Sequence, residues 1–307
     1  MGRFLVKRFV FIISVSICIL FFAFWAMRMA QNSSSARSTA TALSSAQYAS
    51  RRTGQYISGL AQGYWGTITI RRANYRRVVP VTDLIVGSFP NSLGLLTLSL
   101  LLASVVGVPI GLFAARQSHS PLSLGLLTST LIGISLPSFL IAALLQLFEV
   151  IWYRRTGVRI YPVGGFGWDG HLVVPVLVLS ARPLAYVARM AHMSFSDVLS
   201  EPYIATARSK GLSKGRMVRG HAYPNAAIPI LTAAGVSLRF SLSSLPVVEA
   251  LVGWPGIGAK LIEAIQLGQS DAVAGLALVI GLTIMLVNLG LDVAYRLLDP
   301  RLDWQRA

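Results

Sequence analysis

The sequence predicts an all-α integral membrane protein with six transmembrane helices. Three observations carry that reading. Of the 307 residues, 54% are hydrophobic and only 12% charged. Mean hydropathy is +0.64. The apolar residues are also gathered into six runs long enough to cross a bilayer. A soluble domain is about 45–50% apolar and about 25% charged, and so few charges cannot cover this much apolar surface in water. Net charge is +16, from 27 Lys+Arg against 11 Asp+Glu. In a soluble protein that excess points to nucleic acid. Here the basic residues fall mostly between the apolar runs, without aromatic–basic interleaving, as in membrane proteins with basic loops.

A span needs about 17–25 apolar residues to cross about 30 Å of hydrocarbon. The six runs are Phe9–Met29, Asn91–Ala115, Leu122–Val150, Leu172–Ala191, Ala226–Val248 and Ala272–Leu298. Each is expected to be a helix, because a lone strand would leave its backbone unpaired in lipid. Arg3, Lys7 and Arg8 precede the first run as in a signal peptide. Its apolar core of about 20 residues exceeds the usual 7–15 and carries bulky Phe and Trp, so it reads as an uncleaved helix. The single cysteine, Cys18, lies in this run. It excludes an internal disulfide and reads as a small buried hydrophobe.

With the N-terminus inside, thirteen Lys/Arg fall on inner segments, and only Arg154, Arg155, Arg159 and Lys260 on the two short outer loops. The first outer segment breaks the trend with eight arginines, but at about 60 residues it is long enough for the positive-inside rule to lose force. Both termini are then expected in the cytoplasm of a multi-pass protein of the cell membrane. Residues 1–90 form a first helix plus an external segment, and residues 91–301 the membrane core with a cytoplasmic loop at 194–225.

Residues 31–53 are rich in Ser, Ala, Thr and Arg and read as a flexible external linker. From Tyr56 to Val86 the alternation Thr67-Ile68-Thr69-Ile70 predicts a short strand or hairpin. Arg154–Gly170 holds Pro162, Gly164, Gly165, Gly167 and Trp168, an external turn with an interfacial aromatic anchor. Glu249–Asp271 carries Trp254-Pro255-Gly256-Ile257-Gly258 and then Ala259–Leu267, expected to be a short surface helix.

No catalytic signature is present. The chain lacks GxxxxGK[ST], HExxH and an EF-hand loop. His119, His171, His192 and His221 lie without ligand spacing, so neither a catalytic nor a metal site is expected. An ATP-independent channel or secondary transporter would need coupling carboxylates or paired broken helices in its spans. Glu149 and Glu249 lie only near outer span ends. An intramembrane enzyme would need catalytic pairs that are missing.

The informative segment follows the fourth span, from Ser194 to Asn225. Pro202 suits a first helical turn, with Glu201 beside the positive end of the dipole. Ala205, Thr206 and Ala207 are small enough for another protein to approach closely. Gly211 can take positive φ and end this helix, and Ser213 can cap a second helix from Lys214. Pro224 and Pro229 are expected to break the chain before the fifth span. A solvated basic loop accounts for the charge but not for a small-residue helix, a glycine turn and a terminal proline together.

This loop resembles the E-A-A coupling loop of ABC importer permeases, in which E-A-A is followed after three residues by Gly and after nine more by I-x-L-P. Here Ala205-Thr206-Ala207 hold the triplet, Gly211 the glycine and His221-Ala222-Tyr223-Pro224 the end. The departures are Ala205 for Glu, Thr206 for Ala, His221 for Ile and Tyr223 for Leu. The string Tyr203-Ile204-Ala205-Thr206-Ala207-Arg208-Ser209-Lys210-Gly211-Leu212-Ser213 is similar to the dipeptide/oligopeptide/nickel branch. So are Gly107-Val108-Pro109-Ile110-Gly111, the Trp254–Gly258 segment and Leu298-Asp299-Pro300-Arg301. The resemblance covers about residues 60–301.

It implies a type I ABC importer permease fold and transport of peptide-like cargo, with nickel or oligosaccharide as alternatives. It also implies a homologous second permease chain, cytoplasmic ABC ATPase subunits that bind ATP and Mg, and an extracytoplasmic substrate-binding protein; this chain would hold no cofactor and perform no hydrolysis. Tyr203, Ala205, Thr206, Ala207, Arg208, Lys210, Gly211 and Leu212 would form the ATPase-docking helix. Arg182 and Arg239 lie within spans, where an arginine costs about 2.5–3.5 kcal/mol on insertion scales. With Glu249 they are candidates for the substrate pathway. The structural alternative has Arg182 binding carbonyls freed by Pro183, or either arginine pairing with Glu149 or Glu249.

Overall fold

The computed structural model describes residues 2–31, 39–72, 75–117 and 120–298. The chain divides into two compact units, Met1–Ser92 with Trp254–Leu289, and Leu93–Gly253 with Gly290–Arg306. Among the described residues five helices are long and apolar enough to cross a membrane, and a bent helix pair makes a sixth candidate.

The first unit begins with α1 (Gly2–Gln31) and α2 (Thr39–Ala61), which pack on each other. The expected flexible linker over 31–53 is corrected by α2; residues 32–38 lie outside the described set. Composition misled because the seam of α2 is made of small residues. Ser45, Ala49, Thr53 and Tyr56 are all buried, at the i, i+4, i+8, i+11 spacing of one helix face. Leu20 and Phe24 of α1 meet Ala49 and Tyr56 there, with the Phe24 and Tyr56 rings edge-to-face at 5.6 Å. Cys18 is exposed on α1, not buried, as suits a side chain facing lipid.

The predicted hairpin is present as β1 (Thr67–Arg72) antiparallel to β2 (Tyr75–Pro80), with Ile68 opposite Val79. Gly66 leads into it at φ +85, and a Cβ there would lie 2.7 Å from Asp271 Cβ. Only glycine combines that backbone with that approach. Asp271 pairs with Arg52 at 2.5 Å, and the Tyr56 hydroxyl donates to Trp65 O at 2.8 Å. Ile68, Val81, Ile257 and Ala272 belong to one buried cluster. The Trp254–Gly258 segment forms a latch: Trp254 is 1% exposed, its Nε1 donates to Asn91 O at 3.3 Å, and Ile257 N donates to Ser92 Oγ at 2.8 Å. The short surface helix follows as α10 (Ile257–Gln266).

The second unit holds most of α3 (Val81–Arg116), then α4 (Pro121–Ser135), α5 (Ser138–Thr156), α6 (Val173–Ser200), α7 (Pro202–Ser209), α8 (Lys214–Met217) and α9 (Tyr223–Val252); α11 (Ser270–Leu298), which belongs to the first unit up to Leu289, closes the described chain. The third span, expected as one helix over Leu122–Val150, is instead the pair α4 and α5, bent by 105°. The break is local. Leu136 and Pro137 are both extended, at ψ 134 and 139, and the proline drives Leu136, its predecessor, out of the helical region. Pro183 and Pro246, by contrast, are absorbed within α6 and α9.

The centre of this unit is α6 against α9, where Val187, Ala191, Phe195, Ala222, Ala226 and Ile230 share a core. α3 approaches closely at Gly111, where a Cβ would lie 2.5 Å from Ala191 Cβ. The expected external turn runs from Gly157 (φ 72) to a 3-10 turn at Gly170–Leu172. Glu149, fully buried, accepts from Ile160 N at 3.1 Å. Asp169 accepts from its neighbour His171, and that hydrogen bond holds its carboxyl below the ordinary carboxylate range.

Candidate functional site

The loop between α6 and α9 is an ordered element. α6 runs on to Ser200, and Glu201 breaks it in an extended conformation at ψ 142. Pro202 then opens α7, where its missing N–H costs nothing. Ala205 N and Ile204 N bond back to Glu201 O, and Thr206 Oγ1 donates to Pro202 O at 3.2 Å. The end is a Schellman turn: Gly211 sits at φ +80 and Leu212 N reaches back to Ala207 O at 3.3 Å. A Cβ at Gly211 would meet nothing within 4 Å. The glycine is therefore required by its backbone and not by space.

A second turn of helix follows. Met217 N donates to Ser213 O at 3.0 Å, and α8 passes through a π-turn over Val218–Ala222 into α9. Pro224 and Pro229 do not break the chain as expected. Tyr223 N reaches back to Val218 O, one residue farther than an α-helical bond, so the wide turn takes up the register change just before the proline that lacks a donor.

Burial divides the loop residues cleanly. Ile204 is 1% exposed and Ala207 9%, and with Met217, Val218 and Ala222 they face inward. Tyr203, Ala205, Thr206, Lys210 and Gly211 are exposed and Leu212 is half-buried. The side chain of Arg208 lies outside the described residues. Asn225 Nδ2 donates to Tyr203 Oη at 3.3 Å and to His221 O at 2.7 Å, tying the start of α7 to the start of α9. Neither Ile204 nor Asn225 stands out in sequence, because their roles depend on the fold-back at Gly211. The outward face of α7 is thus small and apolar to weakly polar at Ala205 and Thr206. Beside it, Ser213, Gly215, Arg216, Arg219 and Gly220 line a shallow cleft of about 540 Å³.

The three pathway candidates are not gathered at one point. Ser241 Oγ donates to Leu179 O at 3.0 Å, and the Tyr186 and Phe240 rings meet at 6.3 Å. Arg182 and Arg239 therefore stand at one level of the α6–α9 pair, while Glu249 lies ten residues on, about 15 Å along the helix. Arg182 is half-buried beside Ser138, Phe240 and Ser241, around a space of about 10 Å³ that admits at most a water. Arg239 is exposed and Glu249 fully buried. Among the described residues no group of three or more His, Cys, Asp or Glu is placed to hold a metal ion.

The family model for "Binding-protein-dependent transport system inner membrane component" matches residues 107–304, which include the whole loop. The chain belongs to this family. This permease is 34% identical over 254 residues to the glutathione transport system permease protein GsiC of Salmonella paratyphi A, covering 82% of this chain and 78% of that one. It is 34% identical to the di/tripeptide transport system permease protein DppB of Pseudomonas aeruginosa over 82% and 80% of the two chains. To the oligopeptide transport system permease protein AppB of Bacillus subtilis it is 27% identical over 81% and 79%. Among solved structures, the permease resembles the inward-facing MetNI methionine ABC transporter, with a TM-score of 0.56 at 18% identity over 71% of this chain and 97% of that one. An amino acid ABC transporter matches with a TM-score of 0.51 at 20% identity, over 70% and 94%. The fold is that of a type I ABC importer permease, and the chain is a multi-pass transport subunit of the peptide-permease family.

Proposed function

We propose that this permease carries peptide-like cargo across the cytoplasmic membrane, and that α7 is where ATP hydrolysis in a separate subunit drives it. The cargo class follows the relatives, whose names specify glutathione, di/tripeptides and oligopeptides. Nickel or oligosaccharide is the alternative cargo on the same machinery. The observation that carries the docking proposal is the division of α7: Ile204 and Ala207 anchor it to its own chain, while Ala205 and Thr206 are presented outward ahead of the Gly211 turn. A small-residue face fixed on a rigid base transmits a push or pull that a flexible basic loop would dissipate.

In this reading two permease chains pair, a cytoplasmic ATPase dimer holds ATP and Mg, and its closure moves α7. The pore then switches from inward- to outward-facing, where a substrate-binding protein delivers cargo. Both termini and the loop lie in the cytoplasm, as the thirteen inner Lys/Arg support. Gly211→Val tests the docking reading. A side chain held near φ +80 costs about 1–2 kcal/mol and more when β-branched, so the turn shifts. Membrane insertion should be unchanged while ATP-driven uptake in reconstituted vesicles falls roughly tenfold or more. Uptake at the normal rate would remove α7 from the coupling path.

Of the arginines, Arg239 suits the pathway better, since it is exposed, whereas Arg182 faces a space too small for cargo. Arg239→Gln should erase a preference for peptides with a free C-terminal carboxylate over their amides. An unchanged preference would leave Arg239 structural.

A further inference from the structure

α4 and α6 pack together, and a cleft of about 250 Å³ opens between them. Leu124, Leu127 and Leu131 of α4 with Met193 of α6 make its apolar wall, interrupted by Thr128, and Arg189 and His192 of α6 its polar side. Among the described residues no acidic side chain lines it. His192 Nδ1 is buried without a hydrogen-bond partner. Arg189 is exposed, and among the described residues no carboxylate pairs with it.

The depth of the cleft is set by α3. A Cβ on Gly111 would lie 2.7 Å from His192 N, so the two residues are level. α3 ends at Arg116, five residues on, and α4 begins at Pro121. His192 is therefore roughly 8 Å inside the face at which these helices end. With that face taken as the membrane surface, His192 falls at the boundary between headgroups and acyl chains, since the polar layers add about 5–8 Å on each side of the hydrocarbon. From that face Leu124, Leu127 and Leu131 recede into the hydrocarbon at helical spacing. It is also the face towards which α6 runs to meet α7.

We propose that this cleft binds one anionic phospholipid, with its phosphate on Arg189 and His192 and an acyl chain along Leu127 and Leu131. A guanidinium can offer two parallel donors to a phosphate, and the imidazole a third. Arg189, one turn deeper than His192, reaches the phosphate by extending its apolar stem along the wall. Basic pockets between membrane helices hold anionic headgroups in this way. The apolar wall is what selects a lipid over a free phosphate ion.

The test uses the assembled importer, extracted in mild detergent and reconstituted in nanodiscs of phosphatidylcholine with increasing phosphatidylglycerol. Native mass spectrometry then counts retained lipid. Phosphatidylglycerol should remain bound where phosphatidylcholine does not, and millimolar inorganic phosphate should fail to displace it. The double variant R189Q/H192L should lower occupancy about fivefold or more. L131W, which fills the apolar wall and leaves both polar groups, should lower it as well and decides the matter if the double variant does not fold. Equal retention by the folded double variant or by L131W, or displacement by inorganic phosphate, would overturn the assignment. Loss of the second permease chain with lipid retention unchanged would also overturn it, by placing a protein partner in the cleft.

Discussion

α2 and α7 are both helices built on small residues, and they use them in opposite directions. In α2 the seam Ser45, Ala49, Thr53 is buried against α1, so smallness lets two helices of the same chain approach closely. In α7 the large anchor Ile204 faces inward and Ala205 and Thr206 are exposed, so smallness there serves a surface that this chain does not itself cover. Composition alone treats the two alike, as Ala/Ser/Thr-rich and weakly hydrophobic; only the side that is buried tells them apart.

The sharpest way to break this comparison is to enlarge one residue on each helix. Ala205→Trp adds bulk to an exposed position, so folding and insertion should be unaffected while ATP-coupled uptake falls roughly tenfold, as expected when a tightly packed contact is lost. Normal uptake by a well-folded Ala205→Trp protein would mean that the outward face of α7 docks on nothing. Ala49→Leu should do the reverse. Ala49 is 0% exposed, and overpacking such a site costs about 1–3 kcal/mol. Thermal unfolding should shift downwards while uptake per folded molecule stays constant.

The same contrast explains what was legible in sequence. The loop over 202–224 was readable because each of its local signals acts alone: Pro202 starts a helix, Gly211 stops it by backbone conformation, and the small residues between them need no tertiary partner to be noticed. The hairpin at Thr67–Pro80 and α10 were readable for the same reason. α2 was not, because its periodicity is carried by Ser, Ala and Thr, which hydropathy scores as neutral. The fates of the prolines were also hidden. Pro137 breaks a helix where Leu136 turns extended, whereas Pro183 lies inside α6 and Pro224 follows a π-turn at Val218–Ala222. What separates these cases is whether neighbouring elements re-pair the backbone, and that lies beyond local sequence. The pairing of Arg189 with His192 is not legible in sequence because the cleft they share needs α4 beside α6, and α4 is separated from them by the sharp bend at Leu136–Pro137.

The smallest expected effect divides the two helices at the level of single hydroxyl groups. Thr53 is 5% exposed and its Oγ1 is buried without a hydrogen-bond partner, whereas Thr206 Oγ1 is exposed and donates to Pro202 O at 3.2 Å. Valine has nearly the shape of threonine and nearly its helix propensity. Thr53→Val therefore removes only the desolvated hydroxyl and should be neutral or stabilising by up to about 1 kcal/mol. Thr206→Val removes a satisfied bond in the first turn of α7 and should cost about 0.5–1 kcal/mol of local order, read as faster amide exchange over 202–211 with the global unfolding temperature unchanged. Opposite signs in the two variants would support the division between a helix packed within its chain and one presented outward. Equal destabilisation by both would mean that the Thr53 hydroxyl has a partner in the membrane and that the α2 seam is held by polar contacts as well as by close packing.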